Sequence, residues 1–333
     1  MSKKIIVFAT SFLSELLTHP EKELEPLTNL KAAADRHGLD LVLHCDRDSG
    51  EPISVQEIQG AVAVIADLEP WPNKVLRQVG RRFGGELEII ARYGAGTSNI
   101  DAETAADAGI LLTNTPAANA VPTAEWAVST LLDVAGRRTV HHNRAGRGLG
   151  KTGRSRLDVS NGTLGIIGTG SIGKSVARLL SGFNMKLIAS DPYPDRDWAE
   201  QCGAEYTDVK SLCRLADFIT VHASGTVQII NSDMIDLMNA NTVLVNCARG
   251  HLVDNAAAYR AVREGRLYGY GIDEIWNHSD LLLSPGLNLA VSPHVGSDTD
   301  RGILGMWKMS ADAIVDFLDG RMPVHAVNKA GLK

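Results

Sequence analysis

Thr163-Leu164-Gly165-Ile166-Ile167-Gly168-Thr169-Gly170-Ser171-Ile172-Gly173 is the segment on which the reading of this chain turns. A short apolar run meets a Gly-Thr-Gly-Ser-Ile-Gly loop, which opens a helical pattern of Ile172, Val176, Leu179 and Leu180. Gly168 permits a tight turn, Gly170 lets the backbone approach a pyrophosphate, and Gly173 lets helix and strand pack closely. Ser171 and Ile172 start the helix, so its amides and the positive end of its dipole face the phosphates. Such a loop alone is a weak signal. Here the next apolar run, residues 186–189, ends in Ser190 and Asp191, 18 residues beyond Gly173, where an acid can bind a ribose 2′-hydroxyl. No arginine directly follows Asp191, and a carboxylate repels a 2′-phosphate, so NAD is expected rather than NADP.

On either side of this loop short apolar runs recur. A first series covers residues 4–9, 41–44, 61–65, 87–91 and 110–112; a second covers 163–167, 186–189, 218–221, 242–245, 268–272 and 289–292. Such runs suit strands buried on both faces, and their alternation with helical stretches predicts parallel α/β sheets. Asn114-Thr115-Pro116, then a helix expected from Pro122 to near Gly136, separates the two series. Residues 137–156 then carry seven Lys or Arg, two His and no acid. We read them as a glycine-loosened arm packing on a partner subunit rather than an anion or nucleic-acid site, because the whole chain is acidic.

The 333 residues suffice for about two domains. An apolar fraction of 44% with 22% charged residues excludes wholesale disorder, and a net charge of −6 gives no general pull toward nucleic acid or a membrane. No run approaches the about 18 apolar residues of a membrane span. Lys3-Lys4 before Ile5-Ile6-Val7-Phe8-Ala9 reads as the start of a buried strand, since Ser11, Ser14 and Glu15 follow without a cleavage site. Cys45, Cys202, Cys213 and Cys247 lack metal spacing and read as reduced thiols of a cytoplasmic protein.

In a doubly wound sheet, ligands bind beyond the carboxyl ends of the strands. The second series places Asp191, His222, Arg249, Asp273 and His294 there in succession, which predicts a lined site. Reduction of a 2-oxo acid needs a cation on the carboxylate, which the planar fork of Arg249 can provide. It also needs a proton donor for the new alkoxide, and His294 has a suitable ordinary pKa. Gly94-Ala95-Gly96 follows an apolar run, but Asn99 stands where a third glycine would fall. It therefore reads as a turn offering amides to a carboxylate, not as a second dinucleotide site. Cys247 reads as a small buried residue.

Taken together, these pieces resemble the D-isomer-specific 2-hydroxyacid dehydrogenase family, the phosphoglycerate dehydrogenase-like group. The resemblance covers most of the chain. It rests on Arg92-Tyr93-Gly94-Ala95-Gly96-Thr97-Ser98-Asn99-Ile100-Asp101, Gly109-Ile110, Asn114-Thr115-Pro116 and Thr123-Ala124-Glu125. In the second half it rests on the glycine loop, Asp191-Pro192-Tyr193, Asn246-Cys247-Ala248-Arg249-Gly250 and Ser292-Pro293-His294-Val295-Gly296. It implies two doubly wound domains: a Rossmann NAD-binding domain, residues 116–301, inserted in a flavodoxin-like substrate-binding domain of residues 1–115 and 302–333. It also implies a homodimer. By position, Arg249 resembles the substrate arginine and His294 the acid/base. Asp273 resembles the residue near the nicotinamide amide, with Thr123 in the same pocket, and His222 with Ala223 lies at the strand end near adenosine. Gly168, Gly170, Ser171, Ile172, Gly173, Asp191, Pro192, Tyr193, Cys247, Ala248 and Gly296 are expected around NAD. Arg92, Tyr93, Gly94, Ala95 and Gly96 are expected around the substrate.

The chain departs from the family pattern in places. The family's glutamate that pairs with the histidine lies 29 residues after the arginine, which here is His278. His278 could relay protons as a second imidazole; Glu274 is nearby but would need a shifted loop to substitute. Without a carboxylate partner His294 should titrate lower. Ser224-Gly225 replaces the family's Pro-Leu after the His222 strand. The ending at Lys333 reads as leaving no room for the regulatory domain of some phosphoglycerate dehydrogenases. Asp67, Glu69 and Trp71 are expected to line the cleft, where an acid favours a neutral polar or cationic substrate tail; Arg92 pulls the other way. A metal-assisted reaction through His278, His294 and Asp298 has no recurring ligand spacing behind it, so no metal is expected. The reading is an NAD-dependent enzyme interconverting a small 2-oxo acid and a D-2-hydroxy acid; the alternative is an NAD(H)-binding sensor or corepressor-like protein with little turnover.

Overall fold

The computed structural model describes residues 3–8, 25–44, 50–274 and 286–328. Its Cα packing divides the chain into two units, Met1–Asn119 with Asp298–Lys333, and Ala120–Ser297. In the first unit β1 (Lys4–Phe8), β2 (Asp40–His44), β3 (Ala61–Ala66), β4 (Ile89–Arg92) and β5 (Leu111–Thr113) form one parallel sheet, ordered β2-β1-β3-β4-β5. Neighbouring residues of a strand serve opposite cores, as the pleat requires. Ile6, Val64 and Ile90 pack with Trp71 and Leu76 on one face. Ile5, Ile65 and Leu111 pack with Trp307 and Ile314 on the other. Trp307 and Ile314 belong to the helix Asp300–Leu318, so the end of the chain covers a sheet that its beginning builds.

The second unit holds β6 (Thr163–Ile167), β7 (Lys186–Ser190), β8 (Glu205–Tyr206), β9 (Phe218–Val221), β10 (Val243–Asn246), β11 (Gly269–Ile272) and β12 (Leu289–Val291), in the order β12-β11-β10-β9-β6-β7-β8. The chain winds from β6 to β8 in one direction and from β9 to β12 in the other. The topological switch therefore falls between β6 and β9, beside the glycine loop. Both sheet faces are covered, one by Leu131, Val134 and Val176 against Leu164, Val243 and Val245, the other by Leu212, Leu252 and Ala258 against Ile219 and Leu244. The helix expected from Pro122 runs Ala120–Gly136.

Two local features differ from expectation. β8 has two residues, too few for a hydrophobic period to register. The basic stretch begins with a helix, Arg138–Ala145, rather than running as a loosened arm throughout. Two of its cations have an aromatic partner: Arg154 lies 4.4 Å and Arg137 5.8 Å from the Tyr268 ring centroid, while Tyr268 donates to Ser155 O at 2.6 Å. No helix among the described residues is long and apolar enough to cross a membrane. Among those residues no group of three His, Cys, Asp or Glu could hold a metal ion.

Candidate active site

The glycines of the β6 loop meet three different surroundings. Gly168 has φ +93°, and a Cβ there would stand 2.5 Å from Ala223 N. A Cβ on Gly173 would stand 2.1 Å from Gly168 O. At Gly170 nothing lies within 4 Å of the Cβ position, so the loop borders open space where a phosphate would approach. The helix that follows, Ser171–Leu179, has no side-chain cap, whereas Asp195, Asp208, Asn231 and Asp254 cap later helices. Its first amides are left for a ligand.

Asp191, just after β7, holds this loop. Its Oδ2 accepts from Thr169 N at 2.7 Å and Thr169 Oγ1 at 3.1 Å, and its Oδ1 accepts from Tyr193 N at 2.8 Å. A carboxylate can accept about four hydrogen bonds, so capacity for a ribose hydroxyl remains. His222, at the end of β9, lies 2.8 Å through Nε2 from Thr220 Oγ1, while its Nδ1 is buried without a partner. Burial pulls its pKa down to about 3 and keeps the ring neutral. The open cradle, the uncapped helix and this orphaned nitrogen fit NAD. Gly168, Gly170, Ser171, Ile172, Gly173, Asp191, Pro192, Tyr193, His222 and Ala223 would hold its adenosine and pyrophosphate.

The residues after β10, β11 and β12 converge on one carboxylate. Glu274 Oε2 lies 3.9 Å from His294 Nδ1 and accepts from Gly250 N at 3.3 Å. Burial raises the Glu274 pKa, opposed by the positive charge of Arg249 and the Gly250 hydrogen bond. Glu274 lies two residues beyond the end of β11 and reaches Gly250 directly. His278 lies outside the described residues. Arg249 Nη1 donates to Ala248 O at 2.8 Å, and Asn246 clamps the turn, donating to Arg249 O at 2.9 Å and accepting from Ala248 N at 3.0 Å.

His294 occupies the left-handed region, φ 62°, at a cost of roughly 1–3 kcal/mol for a residue with a Cβ. Buried Asp273 braces it from both sides. Its Oδ1 accepts from Ser292 Oγ at 2.5 Å and Val295 N at 2.9 Å, and its Oδ2 accepts from Gly296 N at 2.7 Å. Ser292 Oγ in turn accepts from Trp126 Nε1 at 3.1 Å. Asp273 therefore fixes the histidine's loop, a role its position on a strand end does not announce. Thr123 and Cys247 are buried in the same unit, Thr123 in the first turn of the helix Ala120–Gly136. Asn246 and Ser292 stand in the motifs quoted above without a role of their own, and no spacing rule marks the hydrogen bonds they and Trp126 make.

In the first unit, Gly94 N donates to Thr115 Oγ1 at 3.0 Å, so of the three expected amides only those of Ala95 and Gly96 have no acceptor among the described residues. Arg92 and Tyr93 are buried behind this turn, Arg92 Nε donating to Asn99 Oδ1 at 3.4 Å and Tyr93 OH to Ile303 O at 3.5 Å. Glu69 does not line a cleft. It is fully buried and accepts from Asp67 N and Trp71 Nε1, each at 3.1 Å. Burial first, then the Asp67 charge, raises its pKa to about 7.

A glycine loop at the topological switch, with an acid just after the next strand, defines a dinucleotide-binding α/β domain. The profile described as "D-isomer specific 2-hydroxyacid dehydrogenase, NAD binding domain" matches residues 129–296. A D-3-phosphoglycerate dehydrogenase of Methanocaldococcus jannaschii is 34% identical over 266 residues, 77% of this chain and 50% of that protein; the chain thus spans about half of that relative. A Staphylococcus aureus (strain USA300) protein named as a 2-hydroxyacid dehydrogenase is 32% identical over 284 residues, 82% of this chain and 88% of that one. The crystal structure of the TT0316 protein from Thermus thermophilus superposes with a TM-score of 0.79 at 26% identity, covering 97% of this chain and 99% of that one. The chain belongs to the D-isomer-specific 2-hydroxyacid dehydrogenase family, and its cofactor is NAD.

Proposed function

We propose that the protein interconverts a small 2-oxo acid and the corresponding D-2-hydroxy acid, with Arg249 binding the carboxylate and His294 as acid/base. The observation that carries this is the Glu274 carboxylate, 3.9 Å from His294 Nδ1, bonded to Gly250 N and in the field of Arg249. NAD(H), when bound, supplies or takes up the hydride. Arg249 leaves Nε and Nη2 without acceptors among the described residues, an edge suited to a bidentate carboxylate. Nδ1 faces the Glu274 carboxylate at 3.9 Å, and the imidazole gives a proton to the carbonyl oxygen or takes one from the hydroxyl. An ionised Glu274 stabilises the imidazolium. This puts Glu274 in the role the family gives to the residue aligned with His278.

In the first unit we assign the amides of Ala95 and Gly96, backed by Arg92 and Tyr93, to substrate binding, and residues 120–297 to the NAD-binding domain. A homodimer is supported by the residues 137–156, which expose Leu149 among their cations. Free Cys202, Cys213 and Cys247 support a reducing, cytoplasmic setting. The test is NADH oxidation, followed by its absorbance, over a panel of 2-oxo acids. Turnover with some members is expected. NADH binding without turnover on any of them would point to the sensing alternative.

A further inference from the structure

We propose that His251 is a positioning residue for the dinucleotide, holding residues 224–228 at the carboxyl end of β9, where the bound cofactor has to cross. The proposal rests on the active-site reading above. In the sheet order β9 lies between β10 and β6, so a dinucleotide reaching from Asp191 beside β6 to Arg249 after β10 passes the end of β9. There the chain leaves the sheet with His222 and Ala223 against Gly168, then runs exposed from Ser224 to Gln228. It is caught again when Ile229 N and Ile230 N donate to Leu252 O, each at 2.9 Å.

Between these anchors one hydrogen bond holds the strap among the described residues: His251 Nε2 to Gly225 O at 2.9 Å. A carbonyl only accepts, so Nε2 is the protonated nitrogen and the bond survives in both charge states of the ring. Gly225, at φ +129°, has no side chain to hold it in place. A Pro-Leu pair at 224–225 would restrict φ by itself; Ser224-Gly225 does not. The donor, by contrast, sits on a hydrogen-bonded turn. His251 sits on the short turn Gly250–Leu252 directly after Arg249, where Gly250 donates to Glu274 and accepts from Asn255 Nδ2 at 3.0 Å. One turn thus carries the carboxylate-binding arginine on one side and the strap's tether on the other.

The test compares the full-length wild type, His251→Ala and His251→Gln by NADH fluorescence titration, steady-state kinetics and thermal melting. Glutamine can place an amide N–H near the position of Nε2. Loss of one hydrogen bond predicts about three- to tenfold weaker NADH binding and a matching rise in the KM for NADH in His251→Ala. The 2-oxo acid KM and the melting temperature should stay unchanged, and His251→Gln should restore binding. Unaltered NADH affinity in His251→Ala overturns the proposal. So does equal weakening in both variants, or a parallel rise in the 2-oxo acid KM, because each would mean that the imidazole only supports the Arg249 turn. A wild type that fails to bind NADH removes the active-site reading and the strap with it, whereas the other failures leave that reading standing.

Discussion

Replacing Glu274 by Gln removes the charge beside His294 while keeping the size of the side chain. Two unit charges 3.9 Å apart interact by about 1 kcal/mol in water and about 4 kcal/mol at an effective dielectric near 20. Losing that charge removes a stabilisation of the imidazolium and so lowers the imidazole pKa. Both side chains reach water, with relative exposures of 22% and 19%, and 3.9 Å exceeds a hydrogen bond, so the lower end of that energy range applies. The sign follows from the roles. Reduction requires a protonated His294, so kcat/KM for the 2-oxo acid falls as pH rises through its pKa. In Glu274→Gln that fall should begin at lower pH, and in the oxidation direction the rise should begin at lower pH as well. The assay is kcat/KM against pH from about 5 to 10, in both directions, for wild type, Glu274→Gln and His278→Ala. An unshifted limb in Glu274→Gln refutes the reasoning, and a limb that moves in His278→Ala instead would make His278 the partner of His294.

Arg249→Lys should lower kcat/KM for the 2-oxo acid about a hundredfold or more, because an ammonium cannot reproduce the bidentate fork; steady-state kinetics check this. Gly170→Ala should leave the melting temperature unchanged while weakening NADH binding more than about tenfold, since its Cβ meets no protein atom but would meet a phosphate. Gly173→Ala, with its Cβ 2.1 Å from Gly168 O, should instead destabilise the fold, so melting curves and NADH titrations separate the two glycines. Glu69 carries a pKa raised to about 7 in the folded state, above its value of 4.5 when unfolded. Between pH 4.5 and 7 the folded chain holds the proton that the unfolded chain has released. Stability should therefore fall across that window, by at most about 3 kcal/mol, and level off above it. In Glu69→Gln, denaturant titrations from about pH 4 to 8 should show that decline largely abolished.

Much of the site could be read in advance because a dinucleotide loop is local. Gly168, Gly170 and Gly173 lie within six residues on one strand–turn–helix, and Asp191 ends the next strand, so spacing along the chain carries the spacing in space. Arg249 and His294 could be singled out for a related reason: each follows a strand whose apolar run is visible, and strand ends collect at one edge of a parallel sheet. The hydrogen-bonding assignments within that edge were not legible. The count of residues left Glu274 and His278 both open, because the distance from Glu274 to His294 depends on how the Gly250 turn sits against β11. The resemblance places Asp273 near the nicotinamide, and no spacing shows that its oxygens also accept from Ser292, Val295 and Gly296. Gly94 looked like an amide donor until Thr115, from the end of the neighbouring strand, took its hydrogen. Glu69 looked like a cleft acid because polarity alone cannot tell whether a carboxylate faces water or Trp71.

By itself, then, the order of residues determined the parallel α/β architecture, the dinucleotide loop, the preference for NAD and the chemical types, guanidinium and imidazole, at the strand ends. These follow from periodicity and short-range spacing, which are properties of a single segment. The tertiary structure alone decided which carboxylate faces His294, which group holds that histidine in its left-handed backbone, and which loop amides stay free. Each is a distance between segments remote in the chain, and such distances depend on how helices and turns pack against the sheets.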